Sequence, residues 1–364
     1  MGNATAAQLI RIARLRRFVG VFARGGDREA TSEALAALSR ASRQGGLTGD
    51  ALRSARQAAE LLADENSEAG VRSLLQLGAA CLDAGDATSA ASAAELAHGK
   101  AGALAEPLRT PLIGCAALLA GIAHSLTGAD DSARVALDEA REQFAAADQP
   151  EGAALALTQL ALLDVAAGRT TGAEVCFRFA RDFYRASLQV EAAAETSALA
   201  ARALAEAGAA SADHWFRDAI GDAELAEAAL LATELVVERA AELERAGAVD
   251  DAIATAADGA QRCAALREPR ARELALRARQ QLARLTGDAP EALRHIEAAF
   301  ELALDLRDAE ALAAAMELVV TGLVEGRFSD TGWRLVDRFR DRLIRGGYAA
   351  LAETAGAALA DLRA

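Results

Sequence analysis

Glycine recurs along this chain at an almost constant interval. Seven glycines follow one another at gaps of 43, 40, 40, 39, 40 and 39 residues: Gly85, Gly128, Gly168, Gly208, Gly247, Gly287 and Gly326. Each follows a stretch with the apolar periodicity of a helix, and six of the seven precede a second such stretch. Glycine enters the left-handed conformation without strain, which suits it to the position after a helix C-terminus. The spacing therefore predicts a repeated unit of helix, short turn and helix.

Small residues keep the same register as the glycines. Alanine recurs five and twelve residues after them, and glycine or alanine recurs seven residues before them, at positions where two helices of a hairpin approach closely. These residues are Ala90, Ala133, Ala173, Ala252 and Ala292; Ala97, Ala140, Ala180 and Ala299; and Gly78, Gly121, Ala161, Ala201 and Ala240. Three prolines, Pro107, Pro150 and Pro269, are predicted to open the first helix of a unit, and Pro290 to open a second helix.

The repeats predict an all-α fold, a right-handed superhelical α-solenoid of stacked antiparallel helix hairpins with about 18 helices. The composition agrees, because 52% of the residues are hydrophobic and β-branched runs are few. Representative hairpins pair about 67–84 with 86–102, 150–167 with 170–187, and 307–325 with 328–345. We expect three regions: irregular helices with a basic first helix over 1–66, including one near 48–64; seven repeats over 67–345; and a capping helix over 346–364.

In this register the chain resembles the tetratricopeptide repeat (TPR) family over about residues 67–345. That family has small residues at three positions of each helical hairpin and a bulky apolar residue at a fourth. Two units carry this pattern, one with Gly78, Ala90, Ala94 and Ala97 and one with Ala161, Ala173, Phe177 and Ala180, and the bulky position is filled elsewhere by Leu137 and Ile296. The resemblance implies a concave face, formed by the first helices, that binds a protein or peptide.

The chain departs from the usual TPR pattern in two ways. Its period is near 40 rather than about 34 residues, and the family's Trp and Tyr positions hold mostly Ala or Leu, with Cys81, His124 and Asp164 as further replacements. The longer form resembles the repeat domains of bacterial signal-responsive regulators and peptide receptors, and a HEAT or armadillo-like solenoid stays an alternative. Since His124 and Asp164 occupy equivalent slots in adjacent repeats, they are candidates for a structural hydrogen bond.

The repeat register also predicts which side chains of the first helices face a partner. The predicted surface is apolar in its first half and charged in its second. The alternative is that the helix register is wrong by one residue, in which case the same side chains are core residues. The predicted partner-binding residues are Leu75, Leu82, Leu118, Ile122, Leu126, Leu155, Thr158, Leu162, Arg202, Arg277 and Gln281. The TPR clamp for C-terminal carboxylates is not expected, because it needs Asn and Lys, and the chain has only Asn3, Asn66 and Lys100. Four aromatic residues lie close together at 177–184. They are predicted either to pack in the core or to anchor a partner.

Charge divides the chain into an acidic body and a basic start. The formal net charge is -14, so nucleic acid is not an expected partner, because phosphate binding needs clustered bases. Between residues 1 and 24 there are no acids, and Arg11, Arg14, Arg16 and Arg17 lie close together. These arginines predict either a solvated helix face or a docking surface for an acidic partner or an anionic membrane.

Catalytic and metal-binding motifs are missing from the sequence. There is no GxSxG, HExxH or phosphate-binding loop, and the four cysteines lie too far apart for a zinc site: Cys81, Cys115, Cys176 and Cys263. We expect buried structural thiols, no catalytic residue, no cofactor and no metal. Arginines interrupt the apolar residues at the start of the chain, so no signal peptide is expected there. We also expect no apolar stretch that approaches the roughly 18–20 residues of a membrane span. Both expectations predict a cytoplasmic protein.

The leading hypothesis is a non-catalytic adaptor or scaffold that captures a helix or peptide of a partner protein in a concave groove. The alternative is a regulatory sensor module that binds a peptide or small ligand inside the superhelix and signals to a partner. A third hypothesis is an RNA- or membrane-associated repeat protein that uses the arginine-rich first helix. A homodimer also stays open, because the ends of solenoids can pair.

Overall fold

The structure, a computed structural model, describes residues 5–363 and contains 18 helices and no strand within that range. The helices are α1 (Ala6–Gly25), α2 (Arg28–Gln44), α3 (Thr48–Leu61), α4 (Glu68–Asp83), α5 (Ala87–Gly102), α6 (Arg109–Leu126), α7 (Asp130–Ala146), α8 (Pro150–Ala166), α9 (Thr170–Ala186), α10 (Val190–Glu206), α11 (Ala212–Leu225), α12 (Ala229–Arg245), α13 (Val249–Ala265), α14 (Pro269–Leu285), α15 (Ala289–Leu306), α16 (Ala309–Val324), α17 (Asp330–Arg345) and α18 (Ala349–Arg363). The predicted all-α solenoid is confirmed, and the three representative hairpins, the additional helix near 48–64 and the final helix lie where they are expected.

The chain divides between Thr196 and Ser197, inside α10, into two compact units, here the N-terminal unit and the C-terminal unit. Within each unit every hairpin packs on the next, and the first helices of successive hairpins also touch: α2, α4, α6 and α8 in the N-terminal unit, and α12, α14 and α16 in the C-terminal unit. This is the nearest-neighbour packing of a repeat array. The three-region division expected from the sequence stays a prediction.

The small residues of the repeat register lie at the closest helix contacts. The nine alanines five and twelve residues after the glycines are all fully buried. A Cβ built on Gly121 would come within 2.6 Å of the Leu137 side chain, which is itself fully buried. The packing that the alanine and glycine positions predicted is therefore present, and it explains why larger residues do not occur there.

Most turns use glycine in the left-handed conformation, as predicted. Six of the seven glycines have φ between 66° and 78°: Gly85, Gly128, Gly168, Gly208, Gly247 and Gly326. Gly287 is an exception and corrects the prediction, because Thr286 leaves α14 in an extended conformation (ψ 120°) and Asp288 caps α15 by accepting a hydrogen bond from the Glu291 N–H at 3.1 Å.

Four of the turns that follow second helices place a non-glycine residue in the same left-handed conformation, whereas the turn after α17 uses Gly347, with φ 88°. The four non-glycine residues are Asp148, Leu188, Glu227 and Arg307, with φ between 53° and 59°. L-residues are strained there by roughly 1–2 kcal/mol. Sequence patterns did not indicate this alternation of relaxed and strained turns.

Of the four prolines that were predicted to open helices, three do so. Pro150 and Pro269 are the first residues of α8 and α14, and Pro290 lies in the first turn of α15. Pro107 is a correction, because α6 begins only at Arg109 and Pro107 lies in the preceding loop.

Helix α6 is 18 residues long with a mean hydropathy of 1.2, so by length and composition it could cross a membrane. This corrects the expectation that no apolar stretch reaches such a length. In the structure α6 packs between α5 and α7, and 39% of it is buried. Its apolar character is therefore accounted for by its position as the first helix of a hairpin.

Candidate functional site

An elongated groove crosses the first helices of the N-terminal unit, and we call it the N-terminal groove. It consists of two open clefts of about 480 and 610 Å³ that share Arg40 and Arg72. The first cleft lies among α1, α2 and α4, and the second is lined by Arg40, Glu68, Arg72, Leu75, Gln76, Pro107, Leu108, Pro111, Leu112, Cys115 and Gln149. The two clefts thus follow the stacking direction of the first helices.

Helical periodicity places the lining residues of the second cleft. On α4, Arg72, Leu75 and Gln76 are three and four residues apart and so share one face, and on α6 Pro111 and Cys115 share another. Leu108, which precedes α6, is 38% exposed. The walls of this cleft are therefore mainly apolar, with arginine side chains at the point where it meets the first cleft.

Two polar groups of the groove stand out. The side-chain oxygen Oε1 of Gln76 is buried and has no hydrogen-bond partner among the described residues, a condition that normally calls for a donor. Arg72 forms an ion pair with Glu68 at 2.5 Å on the same helix, which leaves the remaining guanidinium donors available. The groove can therefore accept a hydrogen bond from a ligand N–H and donate to a ligand carboxylate or carbonyl.

Cys115 places a thiol in the N-terminal groove, where its reaction rate can report on a bound partner. Its thiol is half-buried in the wall of the second cleft. Burial raises the pKa of this thiol above its usual value of 9.0, and the charge of Arg72 lowers it by a smaller amount. The thiol is therefore protonated at neutral pH and reacts slowly with electrophiles.

The C-terminal unit has a groove of different chemistry, here the C-terminal groove. It consists of two clefts of about 420 and 530 Å³ that share Gln280 and Ala314, between α14 and α16. Its charged lining residues are Glu273, Arg277, Arg284, Asp308, Glu310, Glu317, Glu325 and Arg327. Five acids and three arginines are among these residues, so the C-terminal groove presents both signs of charge.

Ion pairs connect the first helices of the C-terminal unit. Arg202 Nε on α10 lies 2.8 Å from Glu238 Oε2 on α12, and Arg270 Nη2 on α14 lies 2.9 Å from Glu234 Oε1 on α12. Glu244 on α12 accepts a hydrogen bond from Arg284 Nη2 at 3.2 Å. Half-exposed pairs of this kind contribute about 0–1 kcal/mol each, so they mainly select which helix faces meet. Their charges are already paired within the protein.

The predicted partner-binding residues have different environments in the structure. Leu75 lines the N-terminal groove and Arg277 the C-terminal groove. Leu126 and Leu155 are 66% and 46% exposed, whereas Leu82, Leu118, Ile122 and Leu162 are half-buried. Arg202 belongs to the ion pairs just described.

Two of the predicted contact residues are corrected by the structure. Thr158 is 6% exposed and donates its hydroxyl to the Ala154 carbonyl at 2.9 Å. Gln281 is 3% exposed and donates to Glu244 Oε2 at 3.0 Å. Both side chains are buried and already hydrogen-bonded within the protein, so they are not exposed for contact with a partner.

Sequence reasoning missed several residues of the N-terminal groove. Gln76 lies one residue from the predicted Leu75, and Leu108 and Pro111 frame the start of α6. Arg40 lies on α2, which packs on α4 as a further first helix although it precedes the glycine series. The sequence indicates a hairpin turn at Gly26, but its separation of 59 residues from Gly85 is one and a half periods, so the register did not show that α2 packs on α4.

The predicted pair of His124 and Asp164 is also corrected. Asp164 is buried and accepts hydrogen bonds from Arg134 and, at 2.8 Å, from Arg169 Nε. The side chain of Asp164 thus joins the first and second helices of neighbouring hairpins through arginines. His124 is half-buried on α6.

The aromatic residues on α9 and the cysteines divide between core and surface. Phe177 and Tyr184 are buried, whereas Phe179 is 54% and Phe183 39% exposed. All four cysteines are free thiols; Cys81 and Cys263 are buried, and Cys115 and Cys176 are half-buried. Within residues 5–363, three or more His, Cys, Asp or Glu side chains do not come together as a metal site would require.

Neither a protein-family model nor a curated protein sequence matches this chain. Solved structures do match it. The apo form of RapI is 14% identical with a TM-score of 0.52, over 80% of this chain and 93% of that one. A signal-transduction ATPase with numerous domains and a tetratricopeptide repeat sensor, from Pyrococcus horikoshii, is 10% identical with a TM-score of 0.53, over 97% of this chain and 55% of that one.

The chain has a TPR-like helical-repeat fold. At these identities the similarity is one of fold. The TPR-like fold agrees with the resemblance drawn from the small residues and Phe177, all of which are buried, and it favours TPR-like stacking over a HEAT or armadillo arrangement.

Proposed function

We propose that this TPR-like protein is a non-catalytic protein-interaction adaptor that captures a segment of a partner protein in its N-terminal groove. The single observation that carries the proposal is the buried, unpartnered Oε1 of Gln76 in the wall of an open, mainly apolar cleft. A buried acceptor without a donor costs about 1–3 kcal/mol, and a ligand N–H would remove that cost. A peptide supplies such donors at regular intervals.

The chemistry of the groove specifies the partner segment further. Leu75, Leu108 and Pro111 offer apolar contacts, and Arg40 and Arg72 offer charge-assisted hydrogen bonds at the junction of the clefts. A helix or extended peptide with apolar side chains and at least one carboxylate fits this arrangement. We prefer the adaptor to the sensor module because the clefts are open along the stacked helices, whereas a sensor for a small ligand calls for an enclosed polar pocket.

We also propose a cytoplasmic location. The four cysteines are scattered free thiols, two of them half-buried, which is the pattern of proteins kept in a reducing compartment. Fractionation of cells that express the native gene tests this location, and recovery of the protein outside the cytoplasmic fraction would contradict it.

Pull-down from a native lysate, followed by mass spectrometry, tests the adaptor function. The double variant Leu108→Glu and Gln76→Ala places a charge at the exposed edge of the second cleft and removes its free acceptor. We expect this variant to lose the captured partner at an unchanged circular dichroism spectrum. The matched control is Leu96→Glu on α5, because Leu96 is 59% exposed and lies outside both grooves. Equal capture by both variants would refute the proposal.

Reaction of Cys115 gives an independent test of the same site. In a variant that keeps Cys115 and has alanine at the other three cysteines, bound partner should slow thiol modification, because the thiol lies in the groove wall. The matched control keeps Cys176, which is half-buried on α9 and is not part of either cleft. Protection of Cys176 but not of Cys115 would place the partner elsewhere and contradict the proposal.

A further inference from the structure

Helix α1 exposes an unusual mixture of arginine and large apolar side chains. Leu9, Ile10, Phe18 and Val21 are each 50–55% exposed. The helix contains five arginines and no acid, in a chain whose net charge is -14. Neither a solvated helix face nor a core helix has this composition, because the first is polar and the second is covered.

The orientation of α1 on the N-terminal unit is determined by an apolar contact of Ile12, Leu15 and Val19 and by a few polar contacts. Ile12 is 3% exposed and packs with Leu38 and Ala41 of α2. Gln8 Nε2 donates to the Gln44 carbonyl at 3.1 Å, and Arg16 Nη2 lies 2.6 Å from Asp50 Oδ2. The face opposite Ile12 therefore points away from the unit.

That opposite face alternates apolar and cationic groups. At 3.6 residues per turn, Ile10, Arg14, Arg17 and Val21 fall within an arc of roughly 60°, centred about opposite Ile12. Phe18 borders this arc. Arginine stems can lie along apolar surface while their guanidinium groups reach outward, so a single plane can satisfy both kinds of side chain.

We infer that the outer face of α1 binds to an anionic lipid surface, with Ile10 and Val21 entering the interface and Arg14, Arg17 and Arg24 contacting lipid phosphates and carboxylates. The helix lies flat, and its 20 residues span about 30 Å along the interface. The charge complementarity is local to α1, which has five arginines and no acid, whereas the excess of acids lies in the rest of the chain.

A lipid surface fits this face better than a nucleic acid or an acidic protein. Exposed aliphatic side chains such as Ile10 and Val21 have no role against a phosphate backbone but partition readily into the acyl boundary. A partner protein would need a groove that accepts apolar side chains and arginines side by side within the same arc of roughly 60°, whereas a helix bound in a groove usually presents a stripe of apolar anchors alone.

Flotation of the full-length protein with vesicles tests this inference. We expect the protein to float with vesicles of phosphatidylcholine and phosphatidylserine, to stay behind with phosphatidylcholine alone, and to be released as salt rises. The triple variant Arg14→Ala, Arg17→Ala and Arg24→Ala should bind about 100-fold more weakly, at about fivefold per arginine. The matched control, Arg178→Ala, Arg272→Ala and Arg334→Ala, removes three exposed arginines from other helices and should bind as wild type.

The double variant Ile10→Ser and Val21→Ser tests the apolar contribution to lipid binding. Both positions are exposed and lie outside the N-terminal groove, so partner capture in a pull-down should be unaffected. This variant should also lose flotation at an unchanged circular dichroism spectrum. The inference is overturned if wild type fails to float with anionic vesicles, if the control triple variant loses as much binding as the α1 variant, or if α1 instead proves to hold two copies of the chain together or to bind an acidic protein in the absence of lipid.

Discussion

Two phenylalanines on α9, Phe177 and Phe179, allow the packing of the repeats to be measured with one residue type on one helix. Phe177 is fully buried at the bulky position of the TPR-like hairpin, and Phe179, two residues later, is 54% exposed. An aromatic side chain buries roughly 150–250 Å² at about 25 cal/mol per Å², and a large-to-small change in a core adds a cavity, so Phe177→Ala should lower the free energy of unfolding by about 3–5 kcal/mol.

Phe179→Ala removes less than half of that burial and leaves no enclosed cavity, so its expected cost is at most about 1–2 kcal/mol. Urea denaturation followed by circular dichroism measures both variants. Because repeat arrays can unfold in more than one step, the comparison uses the first transition that each variant shifts. If Phe177→Ala costs no more than Phe179→Ala, the assignment of Phe177 to the core contact between hairpins is incorrect.

Three further perturbations follow from the backbone and from one histidine. Leu188→Gly should raise the thermal midpoint, because Leu188 has φ 59° and is 85% exposed, so the change relieves roughly 1 kcal/mol of strain and removes little packing; an unchanged or lower midpoint would contradict this. Gly121→Ala should lower the free energy of unfolding by about 1–3 kcal/mol, because the added Cβ has no room beside Leu137. Gly221→Ala should raise it by about 0.5–1 kcal/mol, because no atom lies within 4 Å of the added Cβ. Equal effects of the two variants in urea denaturation would refute the close approach at Gly121. Burial, and to a smaller extent the charge of Arg279, lower the pKa of His295 from 6.5. The contribution of His295 to stability is therefore present above pH 6.5 and is lost as the pH falls below it. The thermal midpoint of His295→Gln should depend less on pH in that window than the midpoint of the wild type, and an unaltered pH profile would contradict the lowered pKa.

The helices and their order could be predicted because their determinants are local. Glycine at a left-handed turn, proline in a first turn and alanine at a close approach each act within a few residues of where they stand. Gly287 and Pro107 show the limit of such reasoning. At both positions the residue type permits the predicted role, but the path of the neighbouring loop decides whether it is used.

Side-chain environments along the grooves required three dimensions. Leu155 and Thr158 are three residues apart on α8 and so lie only about 60° apart around it, yet Leu155 is exposed and Thr158 is buried. Periodicity from sequence does not resolve a difference of that size. The unpartnered Gln76 oxygen depends on what α2 and α6 place around α4. Likewise Asp164 meets Arg134 from the neighbouring hairpin rather than His124, because long arginine side chains reach across the contact between hairpins.

The sequence alone thus determined the all-α repeat, the period and the small residues that allow the hairpins to pack, since these depend on contacts between residues close in the chain. Tertiary structure decided which faces of the first helices stay open, which charges are already paired in the C-terminal unit, and that the face of α1 shared by arginines and apolar groups points outward. The exposure and pairing of these side chains depend on residues 36 to 40 positions apart, brought together by stacking, and the periodicity of a single helix does not show which of its faces such contacts cover.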